Sequence, residues 1–312
     1  MKKVLITAPY MFRESERSKV EEMLKAHEFD TTFHPVLERM NEADLLKVIS
    51  DYHGVICGDD QFNARVLDEA RNLKTIVKWG TGIDSIDVVE ANKRGISVYR
   101  SENAFTYPVA DTTLSYILAF CRSMPANDSL MKNGQWDKPQ GFSLFEKTVG
   151  IVGFGDIGKA VAKRLKAFDC EILVNDIVAI DESIANEYGV KSVSFDELIA
   201  QSDFITMHTD LNPTSRYLLN QNSFNKMVKR PFIINTSRGG VINEADLVAA
   251  LNFGLISGAA LDVYEVEPLP VDSPLRSMKN TILASHNSNS SPTCWMKVHE
   301  NSIRMLQLGL GG

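Results

Sequence analysis

Over residues 3–99, short apolar runs alternate with stretches whose apolar positions recur at helical spacing. The runs predict strands at 3–8, 31–35, 54–57, 75–78 and 96–99, and the spacing predicts helices over 16–26, 42–50, 63–71 and 85–93. Alternation of this kind predicts a parallel sheet covered by helices. Asn41 and Asn243 each precede Glu-Ala-Asp-Leu and read as helix N-caps with acids in the first turn. Pro108 opens an apolar helix over 109–124. The polar stretch 125–145, with Gly134, Trp136, Pro139 and Gly141, reads as an irregular crossing segment. Trp136 there is either core or a contact with a second subunit. Beyond it, strands are predicted at 170–175, 203–207, 232–235, 257–261 and 281–284, with helical patterns between them, 244–252 included.

One stretch organises the second half. An apolar run enters Gly153-Phe-Gly155-Asp156-Ile157-Gly158, and Ile157, Val161, Leu165 and Phe168 then share a helical face. The next apolar run ends at Asp176. Strand, glycine turn, helix and acid in this order form the dinucleotide fingerprint in its required context. Gly153 permits the sharp turn, Gly155 clears the way from a pyrophosphate to the unpaired N–H groups of the helix, and Gly158 lets helix and strand approach. Asp176 accepts from a ribose diol and repels a 2′-phosphate, which favours NAD over NADP.

The ends of the later strands carry the polar chemistry: His208-Thr209, Thr236-Ser237-Arg238, Asp262 and Ser285-His286. Ligands of an open parallel sheet bind outside the carboxyl ends of its strands. Arg238, on a loop with Gly239 and Gly240, offers a fork that matches a carboxylate. His286 can take a hydroxyl proton as hydride leaves the same carbon, and a carboxylate on its other ring nitrogen raises its basicity. Asp262, Glu265 and Glu267 lie between the two. His208, beside Thr209 and Asp210, suits a structural or nucleotide-edge role. Upstream, Gly80-Thr81-Gly82 frees a row of backbone N–H groups, which is either a carboxylate cradle or a plain turn.

Composition narrows the partners. The 312 residues suffice for about two domains. With 33 basic against 40 acidic residues, a net charge of −7 and no basic run, nucleic acid and anionic membranes are excluded as expected partners. No segment approaches a membrane span, and the N-terminus reads as a first strand and not as a signal peptide. Cys57, Cys121, Cys170 and Cys294 lack paired spacing and point to thiols in a reducing cytoplasm. The histidines show no ligand spacing, so no metal is expected.

The order of these motifs resembles the D-isomer-specific 2-hydroxyacid dehydrogenases, the family of phosphoglycerate dehydrogenases and glyoxylate or hydroxypyruvate reductases. The resemblance runs through Lys78 to Asp87, Val109-Ala-Asp111, Val149 to Gly158, Asn235 to Leu247, Ala259 to Pro268 and His286. It implies an α/β fold of two doubly wound parallel-sheet domains. A Rossmann NAD-binding domain would span 102–286, and a flavodoxin-like substrate domain would be assembled from 1–101 and 287–312. It further implies His286 as the acid/base, Glu267 as its partner and Arg238 as the anchor of the substrate carboxylate and keto oxygen. Gly80, Thr81 and Gly82 would grip the same carboxylate. Gly153, Gly155, Asp156, Ile157, Gly158, Asp176, His208, Thr209 and Thr236 would line the cofactor, with Asp262 on the nicotinamide carboxamide.

The activity so implied is hydride transfer between NAD and C2 of a D-2-hydroxy or 2-keto acid, in a homodimer with the region of Trp136 at its interface. The alternative on the same scaffold is a non-catalytic NAD(H)-binding sensor or partner-binding module. Some positions depart from the family pattern: Asp210 replaces a proline, Ala284-Ser285 replaces Thr-Pro, and Asn287-Ser288-Asn289 is unusually polar. Asp59 and Asp60 stand where phosphoglycerate dehydrogenases carry arginines. Two carboxylates there are expected to repel a substrate phosphate, so acids lacking one, hydroxyl-rich or amine-bearing, are expected instead.

Overall fold

Among the runs of residues 3–99, those at 3–6, 54–57 and 75–78 become buried central strands because they are short and rich in β-branched residues, while the strands at 30–33 and 97–100 lie at the sheet edges and are partly exposed. The computed structural model describes residues 1–311 and divides into two units: Met1–Phe105 with the segment from Ser290 onward, and Thr106–Asn289. In the first unit, β1 (Lys3–Ile6), β2 (Asp30–Phe33), β3 (Gly54–Cys57), β4 (Thr75–Lys78) and β5 (Ser97–Arg100) form a five-stranded sheet in the order β2-β1-β3-β4-β5. Every pairing is parallel. The crossovers are α1 (Glu14–Lys25), α2 (Glu42–Val48), α3 (Ala64–Glu69) and α4 (Val88–Lys93). The Asn41 side chain accepts from Asp44 N–H, which makes it the N-cap of α2.

The second unit opens with α5 (Thr106–Cys121) and α6 (Met124–Lys132). Next come β6 (Thr148–Val152), α7 (Asp156–Leu165), β7 (Glu171–Asn175), α8 (Glu182–Tyr188), β8 (Lys191–Ser192), α9 (Phe195–Gln201) and β9 (Phe204–Met207). The unit ends with α10 (Gln221–Asn225), β10 (Phe232–Asn235), α11 (Glu244–Asn252), β11 (Gly258–Leu261) and β12 (Thr281–Leu283). Its seven-stranded parallel sheet has the order β12-β11-β10-β9-β6-β7-β8. The chain winds outward from β6 to β8, then starts again at β9 on the other side, so the switch point lies between β6 and β9. The last helix, α12 (Pro292–Gly309), returns to the first unit and packs on β3 and β4.

Aromatic packing seats α5 on the second sheet. Phe232 stacks on Phe204 and Phe120, with ring centroids 5.2 and 4.5 Å apart. Phe204 is fully buried, and burying a phenylalanine stabilises by about 1.5–3 kcal/mol. The expectation of an irregular segment over 125–145 is corrected for its first part, which is α6. Ser123 adopts a left-handed conformation (φ 50°) that breaks the chain away from α5, and Pro125 sits in the first turn of α6, where its missing N–H costs nothing. No residue of α6 is buried, so no apolar stripe betrays it in the sequence.

Candidate active site

At the switch point, β6 runs into Gly153, which holds φ at +92°. A Cβ there would lie 2.7 Å from the His208 carbonyl and 2.9 Å from Thr209 N, so only glycine lets the β6 and β9 ends approach. A Cβ on Gly158 would overlap the Gly153 carbonyl oxygen, whereas one on Gly155 would meet nothing within 4 Å. Gly155, Asp156 and Ile157 begin α7, whose first-turn N–H groups have no acceptor inside the helix and form its positive end. Gly155 and Asp156 are exposed. Asp176, just beyond β7, accepts at Oδ2 from Phe154 N–H (2.6 Å) and at Oδ1 from Val178 N–H (2.9 Å). Its remaining lone pairs are available to a diol.

His208 follows β9 and donates its backbone N–H to Val152 O at 2.7 Å. Its Nε2 pairs with Thr206 Oγ1 at 2.9 Å, while Nδ1 and the Thr209 hydroxyl are buried without a hydrogen-bond partner. Burial pushes the His208 imidazole down to about 3, so the ring is neutral near pH 7. Unpaired polar atoms beside an open glycine cradle and a helix N-terminus suit a dinucleotide, with the pyrophosphate over Gly155 and a ribose at Asp176.

Beyond β12, His286 adopts φ 50° and donates its N–H to Asp262 O at 2.8 Å. Its Nδ1 lies 3.0 Å from Glu267 Oε2, with side chains 19% and 14% exposed. A carboxylate only accepts, so Nδ1 is the donor of this bond. Glu267 is itself held, since its Oε1 accepts from Tyr264 N–H at 2.9 Å. The single Tyr264 O–H lies 2.8 Å from Ala284 O and 3.1 Å from Leu261 O and is shared between them, which ties the β11 and β12 ends together. The structure thus brings His286 and Glu267 into contact through a framed loop.

Arg238 approaches the same loop for a steric reason. A Cβ on Gly239 would overlap the Tyr264 carbonyl, so the backbone after Arg238 lies directly on the residue that fixes Glu267. Asn235, buried at the end of β10, shapes this turn: Nδ2 donates to Arg238 O (2.9 Å), and Oδ1 accepts from Ser237 N–H and Oγ. Arg238 Nη1 donates to Ser237 O at 2.9 Å. The sequence assigns no task to Asn235 or Tyr264, and gives Gly239 only loop flexibility. The signal was present only as an amide at a strand end and a glycine pair.

Two residues have visible tasks other than those expected. Asp262 is fully buried, and its oxygens accept from Asn287 N–H (2.8 Å) and Ser288 N–H (2.9 Å), which anchors the turn behind His286. The Thr236 hydroxyl is paired with Thr113 Oγ1 at 3.1 Å. In the first unit, Gly80 holds φ at +124°, and Thr81 donates its hydroxyl to Ser101 O at 2.9 Å. That loop therefore has backbone N–H groups, not the Thr81 hydroxyl, to offer a ligand.

The reasoning from Asp59 and Asp60 is corrected. Asp60 is fully buried and accepts from Thr7 Oγ1 (2.6 Å), Gly58 N–H (3.1 Å) and Met40 N–H, with burial pushing its carboxyl upward. It ties β1 to the β3 loop. Asp59 pairs with Lys78 Nζ at 2.6 Å, and the Lys78 side chain is 4% exposed. The loop presents a charge-compensated pair in place of two anions.

Comparison with known proteins shows the family. The family model described as "D-isomer specific 2-hydroxyacid dehydrogenase, NAD binding domain" matches residues 114–288. The chain belongs to the D-isomer-specific 2-hydroxyacid dehydrogenases. It is 39% identical to a glyoxylate reductase of Thermofilum pendens over 86% of this chain and 81% of that one. A solved protein of Thermus thermophilus superposes with a TM-score of 0.86 at 30% identity, covering 99% and 96% of the two chains. A Staphylococcus aureus NAD-dependent formate dehydrogenase in complex with NAD gives 0.87 at 27%, over 99% and 96%. This family member is accordingly an NAD-dependent 2-hydroxyacid oxidoreductase, with the glycine turn and Asp176 in its NAD-binding domain.

Proposed function

We propose that this dehydrogenase interconverts a small D-2-hydroxy acid and its 2-keto acid, with His286 as acid/base. The observation that carries the reading is the 3.0 Å contact of His286 Nδ1 with Glu267 Oε2, beside the Arg238 turn. NAD, when bound, supplies the hydride acceptor for oxidation and, reduced, the donor for reduction. Glu267 fixes the orientation of the imidazole through Nδ1 and stabilises the imidazolium. In reduction, the proton on Nε2 passes to the oxygen on C2; in oxidation, Nε2 receives it from the hydroxyl. The Arg238 fork binds the substrate carboxylate and the reacting oxygen. The first unit is the proposed substrate domain, with the backbone N–H groups of Gly80–Gly82 as its proposed contact for a carboxylate.

A small, unphosphorylated acid is favoured because the Asp59–Lys78 pair supplies no uncompensated cation for a phosphate dianion. The similarity to a glyoxylate reductase supports the same size class. A homodimer through the 124–145 region is proposed from the exposure of Met124, Met131, Trp136 and Phe145. Cytoplasmic residence is proposed from the free cysteines, with burial raising the Cys121 and Cys170 thiols to about 11. No helix among the described residues is long and apolar enough to cross a membrane.

The test is NADH consumption across a panel of 2-keto acids including glyoxylate, pyruvate, hydroxypyruvate and a phosphorylated member. Saturable turnover of the small acids is expected. No turnover with any of them, together with NADH-dependent capture of a partner, would favour the sensor reading.

A further inference from the structure

The end of β4 and the glycine loop after it are braced by α12, within the first unit. Trp79 donates its indole Nε1–H to His299 Nδ1 at 2.9 Å, and both residues are buried. An indole only donates, so neutral His299 accepts at Nδ1 and carries its proton on Nε2. Two residues along the helix, Asn301 Nδ2 donates to Ser101 Oγ at 2.9 Å. Ser101 N–H donates to Gly80 O at 2.8 Å, and Ser101 O accepts from the Thr81 hydroxyl. The helix thereby holds Trp79 directly and Gly80-Thr81 through Ser101.

Such bracing answers a need of the sequence. Gly80 sits at φ +124°, and a glycine turn loses more freedom on ordering than any other. Trp79 is also stacked on Tyr10, centroids 4.5 Å apart and planes 13° from parallel, so its ring is fixed on a face as well as at its edge. His299 is an expensive way merely to fill space, because a buried imidazole must satisfy two ring nitrogens. Its Nε2 has no hydrogen-bond partner, nor do Trp295 Nε1 and Ser302 Oγ on the same helix or Glu16 Oε2 on α1. Burial, opposed by Glu16 and reinforced by Lys19, pulls the imidazole down to about 4 and keeps Nδ1 an acceptor near neutral pH.

We infer that His299 is a positioning residue: its Nδ1 fixes the Trp79 indole and thereby the direction of the backbone N–H groups that Gly80, Thr81 and Gly82 offer a substrate carboxylate. This rests on the proposed reading of that loop as part of the substrate site.

The experiment compares His299→Leu with His299→Asn, whose amide oxygen can stand where Nδ1 stood. The leucine variant is expected to raise the KM of the best 2-keto acid roughly tenfold, the value of about one hydrogen bond, with kcat and NADH affinity within about twofold. The asparagine variant is expected to recover most of that loss. In a Trp136→Phe/Trp295→Phe background, fluorescence from Trp79 should shift in the leucine variant and return in the asparagine one. Equal KM values for both variants and wild type, or a loss confined to NADH affinity, would overturn the inference while leaving the dehydrogenase reading intact. Absence of wild-type turnover on every keto acid would instead remove the substrate-loop reading and this inference with it. The fluorescence shift would then report only a structural contact.

Discussion

His286 Nδ1 and Glu267 Oε2 stand 3.0 Å apart, and Glu267 is fixed in turn by the backbone N–H of Tyr264. Because one carboxylate oxygen is spent on the backbone and the other on the imidazole, Glu267 cannot turn away without losing both bonds. Replacing Glu267 by Gln keeps the shape and removes the charge that supports an imidazolium. Turnover of the best keto acid is expected to fall by about 10²–10⁴-fold, with the activity profile displaced to lower pH and NADH affinity unchanged. Steady-state rates over pH together with NADH titration check this.

Gly239→Ala tests the steric link between the Arg238 turn and the Glu267 loop. The added methyl has nowhere to go except into the Tyr264 carbonyl, so one loop must withdraw. A stability loss of about 1–3 kcal/mol is expected, accompanied by a kcat/KM loss larger than that of Gly155→Ala, whose methyl meets open space. Urea unfolding and kinetics on the two variants side by side decide the point.

Asp176→Ala should weaken NADH more than it weakens NADPH. The substitution removes the proposed acceptor for the ribose diol and takes the acceptor from the Phe154 and Val178 N–H groups. A drop of at least about tenfold in the preference for NADH is expected from one charge-assisted hydrogen bond and the loss of repulsion toward a 2′-phosphate. Competition between the two cofactors at fixed keto acid measures it.

Much of the local geometry of the candidate site was legible in the sequence because glycines, an acid and the strand-end residues keep a fixed order along the chain. Gly153, Gly155, Gly158 and Asp176 could be read in that way, and so could the Asn41 and Asn243 caps, whose side chains accept from Asp44 and Asp246 N–H. Helix α6 was not legible, because a helix without a buried face has no periodic signal. Asp60 was misread for a related reason. Its chemistry looks the same in a sequence whether the carboxylate faces solvent or, as here, is buried against Thr7, Gly58 and Met40. The bond between Trp79 and His299 joins residues 220 positions apart and leaves no local trace.

The corrected role of Asp60 has its own consequence. Asp60→Ala strands two backbone N–H groups in a fully buried place and leaves the Thr7 hydroxyl only its 3.4 Å bond to Ile56 O, so a loss of about 3 kcal/mol or more in unfolding free energy is expected. It should not turn a phosphorylated acid into a substrate. Gain of such activity without loss of stability would restore the view that Asp60 faces the ligand.

Stability toward acid should carry the mark of His299. Its folded value of about 4 lies below the ordinary 6.5, so between these values the unfolded chain binds more protons than the folded one. Stability is therefore lost as pH falls through that window, by up to about 1.4 kcal/mol per pH unit. Asp60, raised by burial, acts with the opposite sign: just above the ordinary 3.8 its contribution falls as pH rises. The difference between wild type and His299→Asn isolates the histidine, and urea midpoints at about pH 7 and about pH 5 should converge for the variant relative to wild type.

The most direct measurement is single-turnover hydride transfer from NADH to the best 2-keto acid, in wild type and in His286→Asn, with NADH affinity measured on both. We expect the variant to bind NADH as wild type does and to transfer hydride at least about a hundredfold more slowly, because the proton that must reach the C2 oxygen has lost its donor. Hydride transfer within a few-fold of wild type at equal NADH affinity would contradict the assignment of His286 as the acid/base.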